Sequence, residues 1–208
     1  APAETLTLFG ADDIRLRRYE ETSARLLIFA VDASGSAALS RMAEAKGAVE
    51  LMLAQASSRR DEVALLTFRG TTADLCLPPT RSLVRAKRLL AGLPGGGGTP
   101  LASALVAVLS LADQSRTRGA EPALALLTDG RANIALDGSG GRAQAAEDVD
   151  KMARVLRAQG LSGCVIDIAA RPGPASAQLA THLGAQYLPL PRGDAHRITG
   201  SLQRGLGA

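Results

Sequence analysis

The apolar run Leu26-Leu27-Ile28-Phe29-Ala30-Val31 ends on Asp32 and is followed at once by Ala33-Ser34-Gly35-Ser36. An unbroken apolar run of strand length belongs to a strand buried on both faces, which requires a sheet covered by helices on either side. A carboxylate and two hydroxyls two residues apart, at the end of such a strand, build an oxygen-lined hole at the carboxyl edge of that sheet. Oxygen donors of this kind suit a hard divalent cation.

Two further segments point to the same edge. Thr99 follows Gly95-Gly96-Gly97-Gly98 and precedes Pro100. It therefore sits in a glycine loop able to approach another backbone closely, at the entry to a helix with proline in its first turn. Asp129 follows a second apolar run, Ala123-Leu124-Ala125-Leu126-Leu127, within Thr128-Asp129-Gly130. In open parallel sheets, ligands collect outside the carboxyl ends of the strands where the strand order reverses. Asp32, Ser34, Ser36, Thr99 and Asp129 are expected to converge there. Taken singly, Asp32 and Ser34 have a plainer reading as caps of a turn or helix. Five oxygen-bearing positions at three strand or loop ends favour the joint reading.

The remaining chain alternates strand-length apolar runs with longer amphipathic stretches, the pattern of a mostly parallel α/β sheet with helices on both faces. Strands are expected at about 26 to 31, 62 to 69, 72 to 77, 123 to 128, 163 to 168 and 185 to 190. Residues 70 to 72 leave room only for a hairpin, so one strand is an antiparallel edge strand. Helices are expected at about 39 to 58, 82 to 92, 100 to 117, 143 to 159, 175 to 182 and 195 to 205. In the first of them Leu39, Met42, Val49, Met52, Leu53 and Ala56 recur at helical spacing. Residues 1 to 24 read as a boundary segment, with enough alternation over 12 to 19 for a short edge strand, and residues 25 to 208 as one domain. The loop Asp137-Gly138-Ser139-Gly140-Gly141 is expected to be flexible.

With 208 residues, 46% of them hydrophobic but only three Phe, two Tyr and no Trp, the chain can bury one aliphatic core. A net charge of +4 and the clusters Arg15-Arg17-Arg18, Arg59-Arg60 and Arg81-Arg85-Lys87-Arg88 raise the question of nucleic acid. The scarcity of aromatic residues for base stacking argues against it, and a solvated basic surface or a face for an acidic protein fits better. No stretch reaches the roughly 18 apolar residues of a membrane span. The start Ala1-Pro2-Ala3-Glu4 carries no export signal, which with two unpaired-looking thiols, Cys76 and Cys164, leads to the expectation of a cytoplasmic protein with buried, reduced cysteines.

The set D-x-S-x-S, a Thr after a glycine loop, and T-D-G resembles the metal-ion-dependent adhesion site of von Willebrand factor A domains, also called integrin I domains. The resemblance runs along the chain from about Arg25. Within that family the segments RDEVALLTFRG (60–70), LPPTRS (77–82), GGGTPL (96–101) and TDGRAN (128–133) resemble the carboxyl-terminal domain of magnesium chelatase D subunits. The resemblance implies a Rossmann-like, six-stranded fold and a bound Mg2+, or Mn2+ in its place. It implies direct metal contacts from Ser34 and Ser36, contacts largely through water from Asp32 and Asp129, and a switchable contact from Thr99. It further implies a domain that is non-catalytic by itself, within an ATP-dependent enzyme inserting Mg2+ into protoporphyrin IX for chlorophyll or bacteriochlorophyll. The partners implied are the AAA+ ATPase subunit and the porphyrin-binding catalytic subunit, one of them donating an Asp or Glu to the metal. The alternative is the same ion chemistry in another AAA+-linked system such as cobaltochelatase.

Other chemistries fit less well. A haloacid-dehalogenase-like phosphatase needs a second Asp where Ser34 stands, and the glycine run lacks the Lys of a P-loop before Thr99. His182 and His196 read as surface or capping residues and do not complete a hydrolase triad. Arg192-Gly193-Asp194 reads as a turn followed by a helix cap at Asp194.

Overall fold

Strand β1 (Arg25–Asp32) is buried along nearly its whole length and lies at the centre of the sheet. The computed structural model describes residues 24–35 and 49–189. Ser36, Leu39 and Met42 lie outside them, as do the 12-to-19 edge strand, the 195-to-205 helix, the Arg192-Gly193-Asp194 tripeptide and His196. The other strands are β2 (Glu62–Arg69), β3 (Thr72–Thr80), β4 (Glu121–Thr128), β5 (Ser162–Asp167) and β6 (Gln186–Pro189). They form one six-stranded sheet in the order β3-β2-β1-β4-β5-β6, antiparallel only between β2 and β3.

The chain builds outward from β1 through β2 and β3, then returns to the other side of β1 with β4 and continues to β6. The order therefore reverses between β1 and β4, and a crevice opens outside their carboxyl ends. Register brings the two strand ends level: Val31 pairs with Leu127, so Asp32 and Thr128 finish neighbouring strands side by side.

Alternation along β1 divides the core. Leu27, Phe29 and Val31 face helix α1 (49–59), whose Val49, Met52, Leu53 and Ala56 are buried as the helical spacing predicts. Helix α2 (Leu83–Ala91) covers the same face, with Ala86 buried and Leu83, Leu89 and Leu90 packed against it. Leu26, Ile28 and Ala30 face α3 (Leu101–Thr117), α4 (Arg142–Ala158) and α5 (Pro174–Leu183). Helix α3 is the most enclosed, burying Leu101, Ala102, Ala104, Leu105, Val108, Leu111, Ala112 and Ser115. Small alanines let it lie close to the sheet, which fixes where its first turn, and the threonine just before it, must sit.

Two expectations are revised. Strand β3 runs to Thr80 through Pro78 and Pro79, beyond the expected end at 77. Proline is tolerated there because β3 is an edge strand, and the pairing with β2 shifts register between Val63 and Leu66, opposite those prolines. The 137–141 loop, expected to be flexible, is a closed turn. Gly138 N–H donates to Ala135 O at 3.0 Å, Ala135 N–H to Ser139 O at 2.9 Å, and Ser139 N–H to the Asp137 carboxylate at 2.8 Å. Arg81, Arg85, Lys87 and Arg88 are exposed in and beside α2, as a basic surface requires. Among the described residues no helix is long and apolar enough to cross a membrane.

Candidate metal centre

Asp32 is the last residue of β1 and only 2% exposed, a costly place for a carboxylate unless its oxygens are satisfied. They are. Oδ1 accepts the Ser34 N–H at 3.0 Å and the Ser34 hydroxyl at 2.6 Å, and Oδ2 accepts the Thr128 hydroxyl at 3.1 Å. The two Ser34 bonds are an Asx-type turn that swings the chain away from the sheet and brings the serine hydroxyl back over the strand end. Burial nevertheless wins: it holds the Asp32 carboxyl above the usual carboxylate range, the bonds from Ser34 and Thr128 offset it only in part, and the facing negative charge of Asp129 adds to it.

Thr99 reaches the same point from the opposite direction. Its Oγ1 donates to Ser34 Oγ at 2.8 Å, although the two residues are 65 positions apart. A continuous chain of hydroxyls therefore runs from Thr99 through Ser34 to Asp32. The glycine loop makes this approach possible. A Cβ on Gly98 would lie 2.6 Å from the Gly70 carbonyl oxygen and 2.6 Å from Ile134 Cγ1, so no other residue fits against the β2–β3 hairpin without a shift. Pro100 occupies the N-cap of α3 rather than its first turn, and Thr99 stands one residue further out. Its side chain caps nothing and is 8% exposed at the crevice.

Asp129 lies at the end of β4, half-buried, with Oδ1 accepting the Arg131 N–H at 3.0 Å. The structure thus brings Asp32, Ser34, Thr99 and Asp129 to one edge, with Ser36 outside the described residues. Among the described residues no cluster of three or more His, Cys, Asp or Glu is placed to hold a metal ion. A cation here would depend on the hydroxyls, and the donor set of neutral hydroxyls with two carboxylates is all oxygen, which fits a hard divalent ion.

Two supporting residues were not singled out from the sequence. Thr128 is fully buried, donates to Asp32 and accepts the Gly130 N–H at 3.1 Å, so it joins the ends of β1 and β4. Asn133 accepts the Thr99 N–H on Oδ1 at 2.6 Å. The signal for Thr128 was its place as the last residue of a buried strand, where a hydroxyl needs a partner. No local signal marks Asn133, whose partner is 34 positions away.

The other candidates are structural. His182, in the last turn of α5, meets Asp150 of α4 at 2.8 Å and ties the two helices. Asp167, fully buried at the end of β5, accepts the Ala169 N–H and the Tyr187 hydroxyl, each at 2.8 Å. Burial first, then the bond to Asp167 and its charge, push the Tyr187 phenol up to about 12, so it stays a donor. Cys164 is buried and its thiol is pushed up to about 12 by burial; Cys76, expected to be buried, is half-buried on edge strand β3, with its sulfur 3.1 Å from the Thr67 hydroxyl.

Comparison with known proteins agrees with this geometry. The von Willebrand factor type A domain family matches residues 27–131, from β1 to just past Asp129. The 60 kDa magnesium-chelatase subunit of Cereibacter sphaeroides is 59% identical over 204 residues, covering 98% of this chain and 37% of that protein. The chain thus spans little more than a third of that relative's length. A structure of the complex between subunits BchI and BchD of magnesium chelatase, based on a single-particle cryo-EM reconstruction, includes a chain 41% identical to this one. The match covers 91% of this chain and all of that one, with a TM-score of 0.52. The manganese-loaded TRAP protein of Plasmodium vivax shares the fold at 16% identity and a TM-score of 0.66, over 89% of this chain and 74% of that one. This chain belongs to the von Willebrand factor type A domain family, and within it is similar to magnesium-chelatase subunits.

Proposed function

We propose that this domain is a metal-dependent protein-interaction module of a magnesium chelatase, joining the AAA+ ATPase subunit to the subunit that inserts Mg2+ into protoporphyrin IX in chlorophyll or bacteriochlorophyll synthesis. The observation that carries the reading is the hydroxyl chain Thr99–Ser34–Asp32 at the β1/β4 crevice, in a chain 59% identical to a magnesium-chelatase subunit. The BchI–BchD complex favours the AAA+ subunit as a partner.

Mg2+ or Mn2+ would be held by Ser34, Ser36 and Thr99, with Asp32 and Asp129 compensating charge through water. When bound, the ion supplies an electrophilic site for one further carboxylate, which an Asp or Glu of a partner provides. The chain's own residues do the rest. Thr128 and the Ser34 N–H keep the Asp32 oxygens fixed, and the closed turn of Asp32 holds the Ser34 hydroxyl at the mouth. The domain itself carries out no bond-making step, and it works in the cytoplasm where the ATPase works.

The test is thermal. With a dissociation constant of about 1 mM, 10 mM Mg2+ adds roughly 1.4 kcal/mol to the native state, or a rise of about 3 to 6 °C for a domain this size. The rise should be absent in Ser34→Ala, and the same variant should fail to retain the AAA+ subunit on a column in Mg2+. Equal melting of the parent chain with and without Mg2+ or Mn2+ would refute the reading.

A further inference from the structure

From the geometry around Thr99 we infer that Asn133 is a positioning residue that sets the cation preference of this site, favouring Mg2+ over Ca2+. The inference rests on the metal-site reading above.

Among the described hydroxyls of the site, Thr99 is the one on a glycine tether. It follows four glycines, of which Gly96 and Gly97 have φ of 118° and 95°, and such a loop has many conformations to lose on ordering. Asp32 and Ser34 are held by the end of a buried strand; Thr99 needs a separate anchor. Asn133 provides it on both sides of the residue. Its Oδ1 accepts the Thr99 N–H at 2.6 Å, and its own N–H donates to the Thr99 carbonyl at 3.3 Å. Asn133 is in turn fixed from behind, since its carbonyl accepts the N–H of Gly141, the residue just before α4, at 3.0 Å. Ile134 packs against the Cα face of Gly98 and keeps the two loops in contact.

A pin of this kind bears on which ion is accepted. Mg2+ demands near-ideal octahedral oxygens at short distance, whereas Ca2+ accepts more ligands, longer distances and irregular geometry, so rigidity separates them. A Thr99 held on both its N–H and its carbonyl gives a site of fixed size. Released on its glycine tether, the same hydroxyl could retreat to suit the larger ion. The Asn133 side chain is exposed and is joined to the site by its bond to Thr99, so its substitution leaves the core intact.

The experiment uses the 208-residue chain and reads free Mn2+ by electron paramagnetic resonance, with Mg2+ and Ca2+ as competitors. In Asn133→Ala the Mg2+ dissociation constant should rise about tenfold, the size usual for loss of a residue that orients a metal ligand. The Ca2+ constant should change by much less, so the Mg2+ to Ca2+ preference falls. Asn133→Asp keeps the acceptor for the Thr99 N–H and should keep the preference, and it remains informative if the alanine variant does not fold. A preference unchanged in Asn133→Ala, or lost equally in Asn133→Asp, overturns the role of Asn133 while the site stands. No Mn2+ binding by the parent chain overturns the metal site itself, and this inference with it.

Discussion

Thr128→Val replaces a hydroxyl by a methyl of nearly the same shape at a fully buried position, so its cost measures how much the hydroxyl contributes. Two bonds are lost. The first is donated to the Asp32 carboxylate at 3.1 Å, and hydrogen bonds to charged groups contribute about 1.5–3 kcal/mol. The second is accepted from the Gly130 N–H at 3.1 Å, in a half-buried turn where water can replace it, so about 0.5 kcal/mol is the share expected from it. Against this, the new methyl recovers about 0.8 kcal/mol of transfer energy. The balance is a loss of about 2 kcal/mol, or roughly 4–8 °C in melting temperature for a domain of this size. Urea denaturation followed by far-ultraviolet circular dichroism at pH 7 without divalent cations reads it directly. Thr128→Ser retains the hydroxyl and should lose clearly less than the valine variant. A valine variant within 0.5 kcal/mol of the parent chain would show that Thr128 does not join the ends of β1 and β4, and the account of how Asp32 is held would fail.

Two more outcomes follow from the packing. Gly98→Ala puts a methyl 2.6 Å from the Gly70 carbonyl and from Ile134 Cγ1, and overpacking of this kind costs about 1–3 kcal/mol; urea denaturation should show that loss, with any metal-induced melting shift reduced because Thr99 is displaced. Of the two thiols, Cys76 should react with an aromatic disulfide reagent first and Cys164 only on unfolding, since Cys164 is fully buried and its thiol is pushed up to about 12; equal rates in the folded chain would contradict the burial of β5.

The parts of this fold legible in the sequence are those whose signal is local. Strand β1 and strand β4 announce themselves as continuous apolar runs, and the antiparallel edge follows from the short span between Arg69 and Thr72. Asp32, Ser34, Thr99 and Asp129 were readable because each lies at or just beyond the end of a strand or a glycine loop, and in this topology such positions lie at the crevice. Asn133 was not, because its part is played through a bond across 34 positions, between two loops far apart in the sequence. The extent of β3 was hidden for a related reason: proline argues against a strand until the strand is known to lie at an edge. The closed turn at 137–141 depends on backbone bonds from Ala135 to Ser139 that glycine content alone does not reveal.

Asp32 shows what burying a carboxylate at this strand end costs. Three donors are not enough to offset its burial, and its carboxyl titrates above the ordinary value of 3.8. The native state therefore binds a proton more readily than the unfolded chain, and stability falls as pH rises from about 3.8 through the folded value. Asp32→Asn keeps the shape and an acceptor towards Ser34 while removing both the buried charge and its repulsion with Asp129. Without divalent cations the asparagine variant should melt above the parent chain at pH 7, and the gap should close as the pH is lowered towards 3.8. Millimolar Mg2+ should raise the parent chain and raise the variant much less, since one of the two carboxylates that would compensate the ion's charge is gone. An asparagine variant less stable than the parent at pH 7 in a chelator would mean that the hydrogen bonds outweigh burial, and that Asp32 is kept for the fold rather than for an ion. The opposite result would make Asp32 a residue whose charge the fold tolerates at a loss, which is expected where binding, and not packing, has fixed the choice of side chain.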